Sequence, residues 1–210
     1  MDIRVLKGDD LTAVLDDLAR LRITVFRDWP YLYDGNLDYE RRYLDAYRTS
    51  PGAIVVGAFD GGDLVGAATG TPMEDHAADF AAPFAATPYP LDEIFYCAES
   101  VLLPAYRGRG VGHAFFEARE AHARALGRRF SAFCAVIRPA DHPARPAAYR
   151  PLDAFWRARG YAPLPGVIAQ FDWTDRGDVQ QTRKPLQFWL RNLEDEIPPA
   201  NPAFTGKTPR

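Results

Sequence analysis

The sequence predicts a mixed α/β fold, and three stretches predict it. The first runs from Glu93 to Ile137. An apolar and aromatic run, Glu93-Ile94-Phe95-Tyr96-Cys97-Ala98, leads through Pro104 into a glycine-rich turn, Gly108-Arg109-Gly110-Val111-Gly112. That is how a buried strand finishes. Beyond the turn, Val111, Ala114, Phe115, Ala118, His122 and Leu126 recur at helical spacing, which sets Glu117, Glu120 and Arg124 on other faces. Gly127 stands where a helix end wants a residue free of Cβ strain, and Phe130 to Ile137 is the next buried strand. Strand, helix and strand in this order imply a parallel pair joined by a right-handed crossover. The second stretch is a hairpin, two β-rich runs from Ala53 to Phe59 and Leu64 to Gly70 punctuated by Asp60-Gly61-Gly62-Asp63. The third is a late pair of strands, about Val167 to Trp173 and Lys184 to Leu190, flanking Thr174-Asp175-Arg176-Gly177-Asp178.

The remaining elements fill in around these. Ile3 to Leu6 alternates as a short first strand. Asp10 is the expected N-cap of a helix whose face carries Leu11, Val14, Leu15, Leu18, Leu21 or Arg22, and Val25, ended by Trp29-Pro30. A second helix is expected over Asp38 to Arg48, closed by Ser50-Pro51-Gly52. The segment between them, Asp28 to Gly35, is dense in aromatics and carboxylates. Pro72 to Pro90 reads as an alanine-rich insertion with one short helix around His76 to Phe84. Its Glu74, Asp75, His76 and Asp79 fit no zinc template and read as a solvated, charged helix start, so no metal is expected. Arg138 to Pro151 holds four prolines and reads as a loop. Leu152 to Tyr161 is a short helix stopped by Gly160. Residues 1–192 are expected to form one domain, and residues 193–210, with Pro-Pro, Asn-Pro and Thr-Pro steps, a Pro-rich C-terminal tail.

Composition narrows the function. A net charge of −3 leaves no basic footprint, which argues against a nucleic-acid partner. No run approaches the ~20 apolar residues that cross a bilayer, and the N-terminal residues lack the apolar stretch of a signal peptide. Cys97 and Cys134 both fall in predicted buried strands and read as small core residues of a reducing cytoplasm.

The glycine-rich turn is the chemical signal. Glycines at alternate positions let a ligand approach the backbone, and the free N–H groups of the helix's first turn converge where an anion fits. Arg107 and Arg109 add positive charge, so a phosphate or pyrophosphate belongs there. A P-loop would need a lysine that is missing. A dinucleotide-binding turn would need glycine where His113 stands, and an acidic residue where Arg138-Pro139 follows the next strand. The remaining pattern, [QR]-x-x-G-x-[GA], is met by Arg107-Gly108-Arg109-Gly110-Val111-Gly112, with Pro104 and Tyr106 ahead of it. This closely resembles the acyl-CoA-binding motif of the GNAT superfamily of N-acetyltransferases, and the order of elements resembles that superfamily over most of the chain.

The resemblance implies a mostly antiparallel sheet of about six to seven strands with a parallel central pair, helices on both faces, and acetyl-CoA as co-substrate. It places cofactor binding at Val101, Leu102, Leu103, Arg107, Gly108, Arg109, Gly110, Val111, Gly112 and His113. It also implies a strand pair that splays apart to free main-chain groups for the pantetheine arm and thioester oxygen, and an acceptor side lined by the segment joining the first two helices. The acceptor would be an amine of a small molecule or peptide, with a homodimer and a cytoplasmic location as further expectations. Transfer would go by direct attack, neither cysteine lying where an acyl-enzyme nucleophile should be. The base is expected to be Glu99, the only carboxylate from Tyr96 to Leu103. The family position for it is Ala98, so strict alternation would turn Glu99 to the opposite face; a bulge would restore it. The other reading of Glu99 is a strand-end carboxylate held by an arginine. The family's general-acid tyrosine is replaced by Trp156, which leaves Tyr149 as the candidate, with Tyr106 and Tyr96 as substitutes. Trp156 and the Glu99 register favour the alternative function, a non-catalytic acyl-CoA-binding or sensing module.

Overall fold

Seven strands, β1 (Asp2–Leu6), β2 (Ile54–Asp60), β3 (Asp63–Pro72), β4 (Ile94–Leu102), β5 (Phe130–Val136), β6 (Ala162–Thr174) and β7 (Gln181–Asn192), make one sheet in the order β1-β2-β3-β4-β5-β7-β6. A computed structural model describes residues 1–76 and 78–195, with backbone alone at 78 and 79. All neighbouring strands are antiparallel except β4 and β5, the parallel pair read from the strand–helix–strand unit. The last two strands are longer than their apolar cores indicated. Paired with each other, β6 and β7 draw Thr174 and Gln181 into the ladder despite their polarity.

Helices cover both faces. On one, α1 (Gly8–Phe26) and α2 (Leu37–Thr49) pack Leu18, Leu21, Leu44 and Tyr47 against Val55, Ala67 and Val101. On the other, α4 (Val111–Ala125) packs Val111, Phe115, Phe116 and Ala123 against Val56, Val65, Phe95 and Cys97, and α5 (Asp153–Ala158) adds Phe155 and Trp156. Between β3 and β4 a short helix, α3 (Ala78–Ala81), lies among 3₁₀ turns at Met73–Asp75, Ala82–Phe84 and Leu91–Glu93. There Phe80 and Phe84 join a third cluster with Tyr96, Cys134, Trp173 and Phe188.

Several sequence expectations are corrected. The N-cap of α1 is Lys7, with Asp9 and Asp10 in the first turn, where acidic groups favour the helix dipole. That helix ends at Phe26, before Trp29-Pro30, and Asn36 caps α2 by accepting from the Tyr39 amide at 3.0 Å. Leu126 is exposed, whereas Glu120 is buried: its carboxylate accepts from Arg159 (3.0 Å), Arg191 (2.8 Å) and the Tyr161 hydroxyl (3.1 Å). A helix pressed between a sheet and a second helix buries more than one stripe, and its flanks can hold paired charges. Leu193 is buried in the core cluster of α4. The Pro-Pro, Asn-Pro and Thr-Pro steps of the expected tail fall in 196–210, outside the described residues.

Candidate active site

The parallel pair holds for three residues only. Ile94, Phe95 and Tyr96 pair with Phe130, Ser131 and Ala132, and from Cys97 onward β4 parts from β5. At the parting β4 carries a bulge, because Thr69 faces Glu99 while Thr71 faces Tyr96, so two steps on β3 match three on β4. Gly70 sits opposite: a Cβ there would lie 2.5 Å from the Phe95 ring and 3.0 Å from the Tyr96 carbonyl. The bulge reverses the facing of every later residue. Phe95 and Cys97 point to α4, Tyr96 and Ala98 to the other face, and Glu99 now shares that second face with Ala98.

The side chain of Arg119 on α4 fills the underside of the bulge. It is 1 % exposed, and its guanidinium donates to the carbonyls of Glu99 (3.0 Å) and Thr69 (3.2 Å), to Ser100 Oγ (2.8 Å) and to the carbonyl of Phe115 (3.2 Å). These bonds satisfy carbonyls that a regular ladder would have paired.

On the other face Glu99 ends in a cavity of about 280 Å³ bounded by α1, α2, α3, β4, β5, β6, β7 and the segment between α1 and α2. Glu99 is 9 % exposed and Glu40 is fully buried, and the guanidinium of Arg22 bridges them: Nε donates to Glu40 and Nη1 meets Glu99. Tyr43 donates to Glu99 Oε2 at 3.1 Å. The Arg22 charge lies 4.4 Å from the centroid of the Tyr43 ring and 5.2 Å from that of Phe26. Burial works to lower the Arg22 pKa, but the charges of Glu99 and Glu40, with the hydrogen bond to Glu40, outweigh it and the net direction is upward. Burial, then the Glu99 charge, raise the Tyr43 pKa, so its phenol stays a donor. Glu99 is therefore both turned into the cavity and held by an arginine. Arg22, Glu40, Tyr43 and Arg119 went unassigned in the sequence. The available signal was Arg22 itself, a charge on the apolar face of a helix.

The insertion residues are also redistributed. Glu74 pairs with Arg128 at 2.8 Å and Asp75 accepts from Ser50 at 2.7 Å. His76 is not solvated: its ring packs 4.7 Å from Tyr96 and 4.9 Å from Phe80, and burial lowers its pKa to about 4. Asp79 is outside the residues whose side chains are described. Among the described residues no cluster of His, Cys, Asp or Glu has a metal-binding arrangement.

At the other end of the parting lies the turn into α4. Gly108 and Gly110 take φ of 74° and 81°, which only glycine adopts freely, and Gly110 is the N-cap. Among the described residues, the amides from Gly108 to Gly112 have no protein acceptor, whereas the His113 amide donates to the Gly110 carbonyl at 3.0 Å. A Cβ on Gly108 or Gly110 would meet no protein atom within 4 Å, so the space beside these two glycines is open. The Arg107 side chain folds back to donate to the Leu102 carbonyl at 3.2 Å, and the Arg109 guanidinium stacks 5.4 Å from the Tyr106 ring. Val101 and Leu102 pair with Ala67 and Gly66 on β3, while Leu103 donates to the Val65 carbonyl (3.0 Å) and accepts from the Tyr106 amide (3.0 Å). His113 packs on Phe155 and its Nδ1 lies 3.3 Å from Arg159.

Among the other residues singled out, Trp156 packs against Phe133 and Trp189 in the core. Tyr149 lies edge-on to Trp29, with its ring centroid 5.9 Å away; burial raises the pKa of its phenol. Tyr106 donates to Asp60 at 2.9 Å, and the Tyr96 hydroxyl lies 3.1 Å from Cys134 Sγ. Cys134 lines the cavity. Burial pushes its thiol up to about 12, which keeps it protonated and unreactive near neutrality.

Comparison with known proteins agrees with this geometry. No curated protein sequence matches the chain. Solved structures do, at low identity. The Salmonella typhimurium protein yncA with its cofactor acetyl-CoA superposes with a TM-score of 0.57 at 13% identity, over 95% of this chain and 98% of that one. An aminoglycoside 6'-N-acetyltransferase complexed with coenzyme A gives 0.59 at 14%, over 93% and 99%. A ribosomal-protein-alanine N-acetyltransferase from Brucella melitensis gives 0.56 at 16%, over 91% and 99%. These likenesses show the fold. The model of the acetyltransferase (GNAT) family matches residues 18–153, a span that takes in the arginine of α1, the bulged strand and the turn with its loose amides; the chain belongs to that family.

Proposed function

We propose that the protein transfers an acyl group, in the first instance acetyl, from acyl-CoA to an amine of a small-molecule or peptide acceptor by direct attack. The observation that carries this reading is the parted strand pair, which has unpaired amides at one end and a carboxylate-floored cavity at the other. The turn fits a pyrophosphate: five loose amides, two left-handed glycines and open space beside those glycines suit an anion that several donors share. Arg107, Arg109 and the backbone of Gly108 to Gly112 would hold it, with His113 beside them. The main chain of Val101 to Leu103 would line the arm. When bound, the acyl-CoA supplies a thioester open to attack by an amine.

Glu99 is the proposed base. A lysine-like amine with pKa near 10.4 costs about 4–5 kcal/mol to deprotonate at pH 7, and a positioned carboxylate accepts that proton directly or through one water. The freed lone pair then forms the new C–N bond, the C–S bond breaks, and the nitrogen gives up its second proton to solvent. The sulfur leaves as thiolate or takes a proton from Tyr149, whose raised pKa keeps it protonated beforehand and which regains a proton from solvent. Arg22 and Tyr43 orient Glu99 toward the acceptor. No covalent acyl-enzyme is needed, and the protonated Cys134 would not form one. Two buried free cysteines fit a reducing cytoplasm.

Acetyl-CoA titrated into the protein should give saturable heat, and free thiol should accumulate only when an amine is added. Binding without amine-dependent thiol release would leave an acyl-CoA-binding module. Absence of binding would overturn the reading.

A further inference from the structure

Two properties of the cavity define its occupant. The first is its wall. Six aromatic rings follow one another around it: centroids are 4.6 Å apart from Phe26 to Tyr31, 6.0 Å from Tyr31 to Trp173, 6.3 Å from Trp173 to Phe171, 5.4 Å from Phe171 to Phe80, and 5.5 Å from Phe80 to Tyr96. The rings come from α1, the following segment, β6, α3 and β4, so the belt has no counterpart in any one local motif. The belt offers mainly ring faces and edges; Tyr33, Asn36, Tyr39 and Gln181, which can hydrogen-bond, also line the cavity but are not part of it. The second property is the floor. Arg22 is the only basic residue that lines the cavity among the described residues, and it faces both Glu40 and Glu99. Two carboxylates against one guanidinium leave one negative charge in surplus. At the cavity wall, Asp34 and Asp172 add two more carboxylates, each about half exposed and paired with Arg27 and Arg183 at 3.1 and 3.3 Å.

An aromatic belt over surplus negative charge attracts a cation twice, through the ring quadrupoles and through the carboxylates. It attracts an apolar body through the area it removes from water. At about 280 Å³ the space lies near the lower end of ordinary ligand pockets. We propose that the acceptor is a compact primary ammonium compound with an aromatic body, its nitrogen on the Glu99 floor and its ring inside the belt. A polyhydroxylated amine is disfavoured, because the hydroxyls that it lays against the belt would lose water and meet ring faces. This assignment rests on the acyltransferase reading for the fate of the nitrogen, but the binding preference can be measured without turnover.

The test is calorimetric titration of the full chain with four probes: 2-phenylethylamine, its neutral analogue 2-phenylethanol, the bodiless 2-aminoethanol, and glucosamine. The expected result is that 2-phenylethylamine binds at least about tenfold more tightly than each of the others. Glu40→Gln, nearly isosteric, removes the surplus charge. It should weaken 2-phenylethylamine about tenfold and leave 2-phenylethanol within about twofold. If that variant does not fold, the wild-type ranking decides alone. Equal affinity for 2-phenylethanol, or binding of 2-aminoethanol or glucosamine as tight as that of 2-phenylethylamine, overturns the assignment. Acetyl-CoA titrated in parallel separates the two ideas. Acetyl-CoA binding with a flat ranking of the probes sinks only the acceptor class. The expected ranking without acetyl-CoA binding supports the amine pocket and sinks the acyltransferase.

Discussion

Replacing Arg119 by methionine keeps the aliphatic stem of the side chain and removes the guanidinium that props the β4 bulge. The carbonyls of Thr69 and Glu99 then lose donors at 3.2 and 3.0 Å, and Ser100 Oγ loses one at 2.8 Å. The carbonyl of Phe115, in the interior of α4, keeps its helical partner. A buried acceptor left without a partner costs about 1–3 kcal/mol, so two strand carbonyls together cost about 2–6 kcal/mol. Removing a buried cation that has no carboxylate partner offsets part of that cost, which places the expected loss near the lower end, about 2 kcal/mol. That is a large part of the 5–15 kcal/mol that holds a typical domain together. Urea denaturation read by circular dichroism measures it, with the midpoint lowered and the slope unchanged. The functional consequence is specific. If the bulge relaxes toward regular pairing, Glu99 turns out of the cavity, and kcat should fall at least about tenfold while acetyl-CoA binding stays near wild type. A variant as stable as the wild type and equally fast would refute the claim that Arg119 sets the facing of Glu99.

Three further outcomes follow from the same geometry. Glu99→Gln should lower the transfer rate by about 10²–10⁴ with acetyl-CoA affinity unchanged by calorimetry, as expected when a positioned base is lost; full turnover across pH would remove Glu99 from the mechanism. Gly110→Val puts a β-branched residue at φ of 81°, straining the turn by about 1–3 kcal/mol. Because nothing in the protein meets the new side chain, the loss should appear as weakened acetyl-CoA binding with the circular dichroism spectrum retained. Burial depresses the His76 pKa from 6.5 to about 4, so the unfolded chain binds more protons between those values and stability falls as pH is lowered through that window. The loss is of order 3 kcal/mol. His76→Phe should flatten that acid limb in urea titrations at stepped pH, and an unchanged limb would show that His76 does not cause it.

What the sequence disclosed and what it hid divide along contact range. The turn from Arg107 to Gly112 was legible because its chemistry is contiguous: left-handed glycines, a helix start and two arginines fall within one short run. The hairpin and the parallel pair were legible from the same local punctuation. The facing of Glu99 was not, since it depends on an extra residue in β4 that only the pairing with β3 and the guanidinium of Arg119 create. Glu120 looked solvent-facing because its partners Arg159 and Arg191 arrive from distant segments. His76 looked solvated for a similar reason, its aromatic neighbours Tyr96 and Tyr43 lying on β4 and α2. Helical and strand periodicity report burial against a generic apolar neighbour, and say nothing of charges that bury in pairs.

The bonding between the segment after α1 and the far end of β6 has a consequence of its own. The Asp34 amide donates to the Thr174 carbonyl at 2.9 Å, the Arg176 amide to the Leu32 carbonyl at 2.6 Å, and Arg138 ties Asp175 to the carbonyls of Pro30 and Tyr31. This wall of the cavity is thus stitched from residues some 140 positions apart, while the turn from Arg107 to Gly112 is a single uninterrupted run. Lengthening or shortening the tip between β6 and β7, where Val179 stands fully exposed, would reshape that wall and leave the turn intact. Ancestry can therefore tinker with one end of such a scaffold while inheriting the other unaltered.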